Sequence, residues 1–221
     1  PYLRLSYTAV LLRKQQYKIS GDKEQSLCIA RDFITGKVYN SRWVLERASR
    51  DYSMRLDSVL LKKKSSMLAD NLHAVRKCKN ASELLGIEGE SASLYFSVFD
   101  DLILQQKEDF YFKGRNKRPP LDRVNAMLSF TYSLLAGMCG SALESVGLDP
   151  YVGFMHTDRP GRMSLALDLM EEFRSVMADR FVLTLINKRI VKKEGFIQKE
   201  NGAVVLDDET RKSFLSAWQA K

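Results

Sequence analysis

The sequence predicts a mainly α-helical protein, and three observations carry that prediction. Apolar residues recur at helical spacing through most of the chain, as in Ala92, Tyr95 and Phe99. Side chains that favour helix N-termini stand ahead of several of these runs. Strand-forming patterns are confined to residues 1–20 and to a short stretch near the C-terminus. We therefore expect a helical domain over residues 21–221.

The first 50 residues divide into two patterns. Residues 1–12 are rich in strand-forming side chains and lead into a polar stretch, which predicts a strand fragment and a linker. From Lys23 the apolar spacing becomes helical, and after Trp43 it leads to another helix that includes Met54 and Leu61.

The middle of the chain carries clear boundary signals. Asn80 with Glu83 three positions later predicts a helix N-terminus, and Gly86 predicts a break before a segment that starts at Glu88. Residues 113–120 contain a glycine and a proline pair, which predicts a non-helical loop. Asp122 then opens a long apolar helix.

The sequence of the last third of the chain predicts three elements that follow a loop over residues 147–162. Ser164 caps a helix that runs to about Lys188. Asn201 and Gly202 predict the turn of a small β-hairpin between Phe196 and Leu206. Asp207 or Asp208 caps a final helix.

Charge is distributed unevenly along the 221 residues, which carry a net charge of +8. Residues 1–80 hold 17 basic and 7 acidic side chains, whereas residues 81–221 hold 18 and 20. A basic half of this kind favours an anionic partner.

Several classes of protein are disfavoured by what the sequence lacks. Its longest apolar runs fall well short of the roughly 18 residues that a membrane span requires, and we expect no signal peptide. Cys28, Cys78 and Cys139 are too widely spaced for a compact zinc cluster, and they favour a reducing, cytoplasmic compartment. Walker, G-x-S-x-G, C-x-x-C and H-E-x-x-H motifs do not occur.

Acidic residues cluster on one face of the helix that starts at Ser164. Asp168, Glu171 and Glu172 share a sector roughly 100° wide, while the remaining surface is strongly apolar. A solvent-facing stripe balanced by Arg174 and Arg180 is one interpretation. Burial within the bundle is the other, and it would require a cation among the carboxylates.

Two further residues could belong to the same site. Glu88 continues the apolar stripe of its helix, so its carboxylate needs either a partner or the helix N-terminal dipole. His156 lies in a turn-rich loop shortly before the acidic helix, whereas we interpret His73 as structural or exposed. Imidazole with carboxylates suits Mn²⁺ or Mg²⁺, although a loop histidine also serves as an ordinary hydrogen-bonding residue.

A basic loop follows three consecutive aromatic residues at 110–112. Its cationic side chains suit phosphate contacts and base stacking, and a solvated loop held by its prolines is the alternative. The candidate DNA-binding residues, which flank the predicted site in sequence, are Arg115, Lys117, Arg118 and Arg162.

Taken in order, several of these motifs resemble one family, the CRISPR-associated endonuclease that integrates new spacers, Cas1, in its type I-C form. The residues that carry the resemblance are Gly86-Ile87-Glu88-Gly89, Tyr95-Phe96, Gly114-Arg115 through Pro119-Pro120, Asn125, Gly147-Leu148-Asp149-Pro150, His156 and Ser164 through Arg174.

The resemblance implies a helical catalytic domain that binds one Mg²⁺ or Mn²⁺ ion. By motif position, the metal ligands would be Glu88, His156 and Glu171, with Asp168 as a further catalytic acid. It also implies joining of the 3′-hydroxyl ends of captured DNA to repeat DNA, as a homodimer bound to the small protein Cas2. Members of the family carry an N-terminal β-rich domain, of which residues 1–20 would be a remnant. A non-catalytic helical nucleic-acid-binding module is the alternative function.

Overall fold

The computed structural model describes residues 2–220, and for residues 2–8 the backbone alone. Within this part the protein is mainly α-helical, as predicted, with one small antiparallel hairpin. The α-helices are α1 (Tyr2–Ser20), α2 (Lys23–Asp51), α3 (Ser58–Lys77), α4 (Ala81–Phe96), α5 (Arg123–Ser145), α6 (Ser164–Phe173), α7 (Arg180–Asn187) and α8 (Asp208–Gln219). The hairpin strands are β1 (Phe196–Gln198) and β2 (Val204–Leu206).

The strand predicted at the start of the chain is wrong, because residues 2–20 form helix α1. Unbranched side chains in its second half favour a helix over a linker. Tertiary contacts fix the choice: the Gln16 amide donates to the carbonyls of Asp149 at 2.8 Å and Val152 at 2.9 Å, and Arg13 Nε donates to Gly147 at 3.0 Å. The polar stretch is therefore the face of a docked helix.

Helix α2 lies at the centre of the fold and packs against α3, α4 and α6. Asp22 caps its first turn by accepting hydrogen bonds from the backbone of Glu24 and Gln25. The helix continues through Trp43, where we expected a second one to begin, and Met54 lies in the following turn with 96% of its surface exposed. Asp57 caps α3 in the same way as Asp22 caps α2.

Helix α4 begins as predicted but is not interrupted. The Asn80 side chain accepts the Glu83 backbone N–H at 2.9 Å, and the helix then runs through Gly86 to Phe96. A single glycine costs a helix about 1 kcal/mol, which the buried residues of α4 offset. Beyond α4 the chain forms a short 3₁₀ turn at Asp100–Leu102.

Helix α5 begins behind the predicted cap, since Asp122 accepts the Asn125 backbone N–H at 2.7 Å. The preceding loop is non-helical, as expected, and the buried Asn125 holds it by donating to the Gly114 carbonyl at 2.8 Å. By length and composition α5 could cross a membrane, but half of its apolar window is buried in the fold, as in core helices generally.

The single helix predicted from Ser164 to about Lys188 is divided into three parts. Helices α6 and α7 are joined by a π-helical segment, Arg174–Asp179, and such segments often occur at functional sites. Ser164 is the first residue of α6 and not its cap, because its hydroxyl donates to the Thr157 carbonyl at 3.2 Å. The hairpin turn at Asn201 and Gly202 and the Asp207 cap of α8 are confirmed.

Candidate metal and nucleic-acid site

Helices α2, α4 and α6 each contribute one charged side chain to a buried cluster. The Lys37 ammonium from α2 contacts Glu88 Oε1 on α4, and it lies 2.7 Å from Glu171 Oε2 on α6. Glu171 is 5% exposed, so its carboxylate is removed from bulk water. Two carboxylates that are 83 positions apart in the sequence thus converge on one cation.

Arg174 supplies a second positive charge to Glu171. Its Nη1 lies 2.7 Å from Oε1 and 2.9 Å from Oε2 of that carboxylate. Burial alone would raise the pKa of Glu171, but the charges and hydrogen bonds of Arg174 and Lys37 outweigh it and lower the pKa to about 2. Glu171 is therefore ionised at physiological pH, and both of its oxygens already contact cationic side chains.

Asp168 lies one turn before Glu171 and is fully buried. Its Oδ2 accepts the backbone N–H groups of Phe154 and Met155, and its Oδ1 accepts that of His156. The same Oδ1 lies 2.6 Å from Nδ1 of the His156 ring. Asp168 thus holds the loop and contacts one ring nitrogen, Nδ1, which leaves Nε2 for a metal ion. In metal-binding histidines, the second ring nitrogen usually makes such a contact with a carboxylate.

The predicted metal ligands are brought together in part. Glu88 and Glu171 share one cation, whereas the described residues contain no group of three or more His, Cys, Asp or Glu arranged to hold a metal ion. His156 is linked through Asp168 to the face of α6 that carries Glu171, because residues three apart are neighbours on a helix. The donor set of two carboxylates and an imidazole fits Mn²⁺ or Mg²⁺ chemically.

A cleft with a volume of about 520 Å³ opens beside Lys37 and Glu88. The cationic side chains that line it are Lys37, Lys113, Arg115, Lys117 and Arg174. His156 lines a different groove of about 1170 Å³, whose wall includes the first turns of α2 and α4. The cleft offers positive charge for a phosphate chain next to the carboxylate pair.

The four predicted DNA-binding residues lie in different environments. Lys117 is exposed and lines the cleft. Arg115 also lines it, but its guanidinium is held by Asn125 Oδ1 at 2.7 Å and Ser129 Oγ at 3.0 Å. Arg118 is exposed and Arg162 half-buried, and neither lines the cleft. All four remain predictions.

Sequence reasoning named Arg174 as a partner of the acids but missed Lys37 and the buried network beside the carboxylates. Tyr132 lies under the guanidinium groups of Arg174 and Arg115, 4.4 Å and 5.2 Å from its ring centre, and donates a 2.6 Å hydrogen bond to Asp179. Lys37 could have been found, because it stands on the apolar face of α2, three residues after Ile34.

The structure is a helical fold with a pair of carboxylates at the edge of a basic cleft, and comparison with known proteins identifies the family. Residues 4–220 match the family described as CRISPR associated protein Cas1. The chain belongs to the Cas1 family.

Relatives and solved structures agree with that assignment. A CRISPR-associated endonuclease Cas1 of Rhodospirillum rubrum is 50% identical over 216 residues, covering 96% of this chain and 62% of the relative. A casposase bound to integration product superimposes with a TM-score of 0.83 at 32% identity, covering 96% of this chain and 60% of that one. A partial Cas6-RT-Cas1–Cas2 complex gives a TM-score of 0.79 at 25% identity, covering 93% of this chain and 60% of that one.

Proposed function

We propose that this chain is the catalytic part of a CRISPR spacer-acquisition integrase. It would join the 3′-hydroxyl ends of captured DNA to repeat DNA by phosphodiester transesterification, and cleave DNA when water is the nucleophile. The observation that carries the proposal is the convergence of Glu88 and Glu171 on one cation at the edge of a basic cleft. Family membership supports it.

One Mg²⁺ or Mn²⁺ ion would be held by Glu88, Glu171 and His156. When bound, the ion polarises the scissile phosphate and stabilises the negative charge of the displacement. Asp168 fixes the His156 ring through Nδ1, and Arg174 fixes Glu171 through both oxygens. The exposed Lys113 and Lys117 would hold the DNA backbone along the cleft.

Partners follow from the relatives rather than from this chain alone. The similarity to a Cas6-RT-Cas1–Cas2 complex supports a Cas2 partner, and the similarity to a casposase bound to integration product supports a DNA substrate. The chain spans 62% of the length of its Rhodospirillum rubrum relative. We therefore propose Cas2 binding and a homodimer for the whole protein.

A strand-transfer assay tests the proposal directly. The substrates are a DNA fragment with free 3′-hydroxyl ends and a repeat-containing duplex, incubated with the protein and Mn²⁺ or with a chelator. We expect joined product with Mn²⁺ and none with the chelator. Glu88→Ala and His156→Ala should each remove the product while leaving the far-UV circular dichroism unchanged.

Glu172→Gln is the matched control, because Glu172 is an acid on the same helix that packs against Gly36 of α2. It should retain strand transfer. Full activity in Glu88→Ala or His156→Ala would refute the assigned ligands. DNA binding without any cleavage or joining, with Mn²⁺ present, would favour a non-catalytic nucleic-acid-binding module instead.

A further inference from the structure

Lys37 is a nearly buried lysine whose charge lies where the proposed metal ligands meet. The residue is 9% exposed. Its ammonium contacts Glu88 Oε1 and lies 2.7 Å from Glu171 Oε2. A monovalent side-chain cation therefore already occupies the point on which the two carboxylates converge.

The ammonium and a divalent ion would compete for the same oxygens. Mg²⁺ and Mn²⁺ bind carboxylate oxygens at about 2.1 Å, which is closer than the ammonium lies to Glu171. Two cations that share one carboxylate oxygen repel each other strongly in a poorly hydrated site. Arg174 increases this repulsion, because it already holds both oxygens of Glu171.

The structure also provides a place for the displaced side chain. Lys37 lines the 520 Å³ cleft, so its ammonium can leave the carboxylates without crossing the protein core. A lysine is suited to this movement, since its charge is carried on a flexible four-carbon chain. An arginine fork would be held more rigidly by the same carboxylates.

We propose that Lys37 is a placeholder cation. It neutralises Glu88 and Glu171 in the metal-free protein, and the divalent ion displaces it into the cleft. This inference rests on the proposed function, because the ion is the one assigned there. Lys37 thereby keeps the buried Glu171 and the half-buried Glu88 paired before the ion arrives, and it weakens the measured affinity for that ion.

The first experiment is a Mn²⁺ titration of wild type, Lys37→Met and Lys113→Met, followed by the electron paramagnetic resonance signal of free Mn²⁺. Lys37→Met should bind Mn²⁺ at least roughly tenfold more tightly than wild type. Its thermal midpoint without metal should be lower, and Mn²⁺ should raise that midpoint by more than in wild type.

Lys113→Met is the matched control, since Lys113 lines the same cleft and lies over the ring of Tyr111. Its Mn²⁺ affinity should equal that of wild type. An equal gain in Lys37→Met and Lys113→Met would overturn the inference, because loss of positive charge anywhere in the cleft would then explain it. Unchanged or weaker binding in Lys37→Met would also overturn it.

A second measurement needs no variant and so does not depend on how Lys37→Met folds. Reductive methylation of wild-type lysines is followed by mass spectrometry with and without Mg²⁺. Lys37 should react slowly without metal and faster with it, while Lys113 reacts equally in both. An unchanged Lys37 rate at saturating Mg²⁺ would contradict the proposal.

The outcomes separate the two proposals. If wild type binds Mn²⁺ and Lys37→Met binds it no more tightly, the placeholder role is wrong and the metal site stands. If neither protein binds Mn²⁺, the metal site is wrong and the placeholder role fails with it.

Discussion

Asp168 is a buried carboxylate that holds the loop and ring of His156, the proposed metal ligand. It accepts three backbone N–H groups of the loop and contacts Nδ1 of His156. These contacts fix both the path of the loop and the orientation of the ring. The residue is thus a positioning residue, although the sequence groups it with the catalytic acids.

Substituting Asp168 should weaken metal binding. In Asp168→Asn an amide NH₂ group replaces an oxygen that accepts from backbone N–H groups. The loop therefore loses part of its hydrogen bonding, and the His156 ring is no longer held in one orientation. We expect Mn²⁺ affinity to fall about 10–100-fold, as is typical when the partner of a ligating histidine is lost. Isothermal titration calorimetry would measure this, with Glu172→Gln expected to match wild type. Affinity within twofold of wild type in Asp168→Asn would contradict the positioning role.

Asp179 is a second buried acid, and it lies outside the proposed metal site. Burial raises its pKa to about 6, against the opposing effects of the Tyr132 hydrogen bond and of the nearby Arg174, Tyr95 and Arg115. The folded protein therefore binds a proton more tightly than the unfolded chain does. The stability that Asp179 contributes is complete below its unfolded pKa of 3.8 and is lost as pH rises through about 6.

Comparison with Asp179→Asn isolates this pH dependence. The free energy of unfolding of wild type, relative to the variant, should fall by about 3 kcal/mol between pH 4 and pH 7, since each pKa unit corresponds to about 1.4 kcal/mol. Urea denaturation of both proteins at four pH values measures the difference. If the difference in the free energy of unfolding stayed constant over this range, Asp179 would not be the source of the pH dependence.

At the scale of single residues, the sequence left open whether Glu88 and Glu171 are paired with a cation or lie at a helix end and on a solvent-facing stripe. The structure pairs both with Lys37, which the sequence did not point to. Lys37 is likewise a charged residue on the apolar face of its helix, α2. The hold of Asp168 on the loop could not be predicted, because it depends on where the backbone of residues 154–156 runs.

At the scale of whole elements, two glycines in helices have opposite roles. In α4, a Cβ added at Gly86 would meet nothing within 4 Å. In α2, a Cβ added at Gly36 would lie 2.7 Å from Glu172 Cγ on α6. Gly36 thus permits the close approach of the two helices that carry Lys37 and Glu171, whereas Gly86 only weakens α4.

The same substitution at these two positions should therefore change stability in opposite directions. Gly86→Ala should stabilise the protein by about 0.5–1 kcal/mol through helix propensity alone. Gly36→Ala should destabilise it by about 1–3 kcal/mol, because the methyl group forces α2 and α6 apart. Urea denaturation of both variants checks this. If Gly36→Ala stabilised the protein, the Glu172 side chain would have to move away from the added methyl group at little energetic cost, and the prediction would be wrong.

Element boundaries were predicted where a side chain makes a local cap and missed where distant contacts decide. Asn80, Asp122 and Asp207 cap helices as expected, because their hydrogen bonds lie within three residues. Helix α1 was mistaken for a strand, since its docking on the loop at 147–152 is invisible in a linear pattern. The π-helical segment was also missed, because it buries Ser175, Ala178 and Asp179, which the apolar spacing of the sequence does not single out.

At the scale of the whole molecule, the structure shows where part of the net charge of +8 lies. The cleft beside the carboxylate pair is lined by lysines and arginines from α2, from the loop at 113–117 and from the π-helical segment. Lys62 and Lys63 on α3 are exposed and do not line this cleft. DNA binding should therefore depend on where a positive charge lies as well as on the total.

Salt dependence distinguishes these two contributions. Lys113→Ala with Lys117→Ala should reduce the slope of log affinity for duplex DNA against log salt by about 1.8, as expected for two lost phosphate contacts. Lys62→Ala with Lys63→Ala removes the same charge from α3 and should change the slope much less. Fluorescence anisotropy at several salt concentrations measures both. Equal changes in slope for the two double variants would show that DNA binding depends on net charge alone.

The division of the chain into residues 1–20 and 21–221 remains a prediction, as does the homodimer. Helix α1 packs against α2 and is anchored to the loop before α6, so the structure joins the two predicted parts by direct contacts. Composition alone could not reveal that connection, because the anchoring residues are more than 130 positions apart.

The central claim is that Glu88, Glu171 and His156 hold one divalent ion. Anomalous diffraction from crystals of this protein soaked in Mn²⁺ tests it most directly. We expect one strong manganese peak per chain, ligated by these three side chains, with the Lys37 ammonium withdrawn into the cleft. A manganese peak elsewhere, or no peak between Glu88 and Glu171 at saturating Mn²⁺, would contradict it.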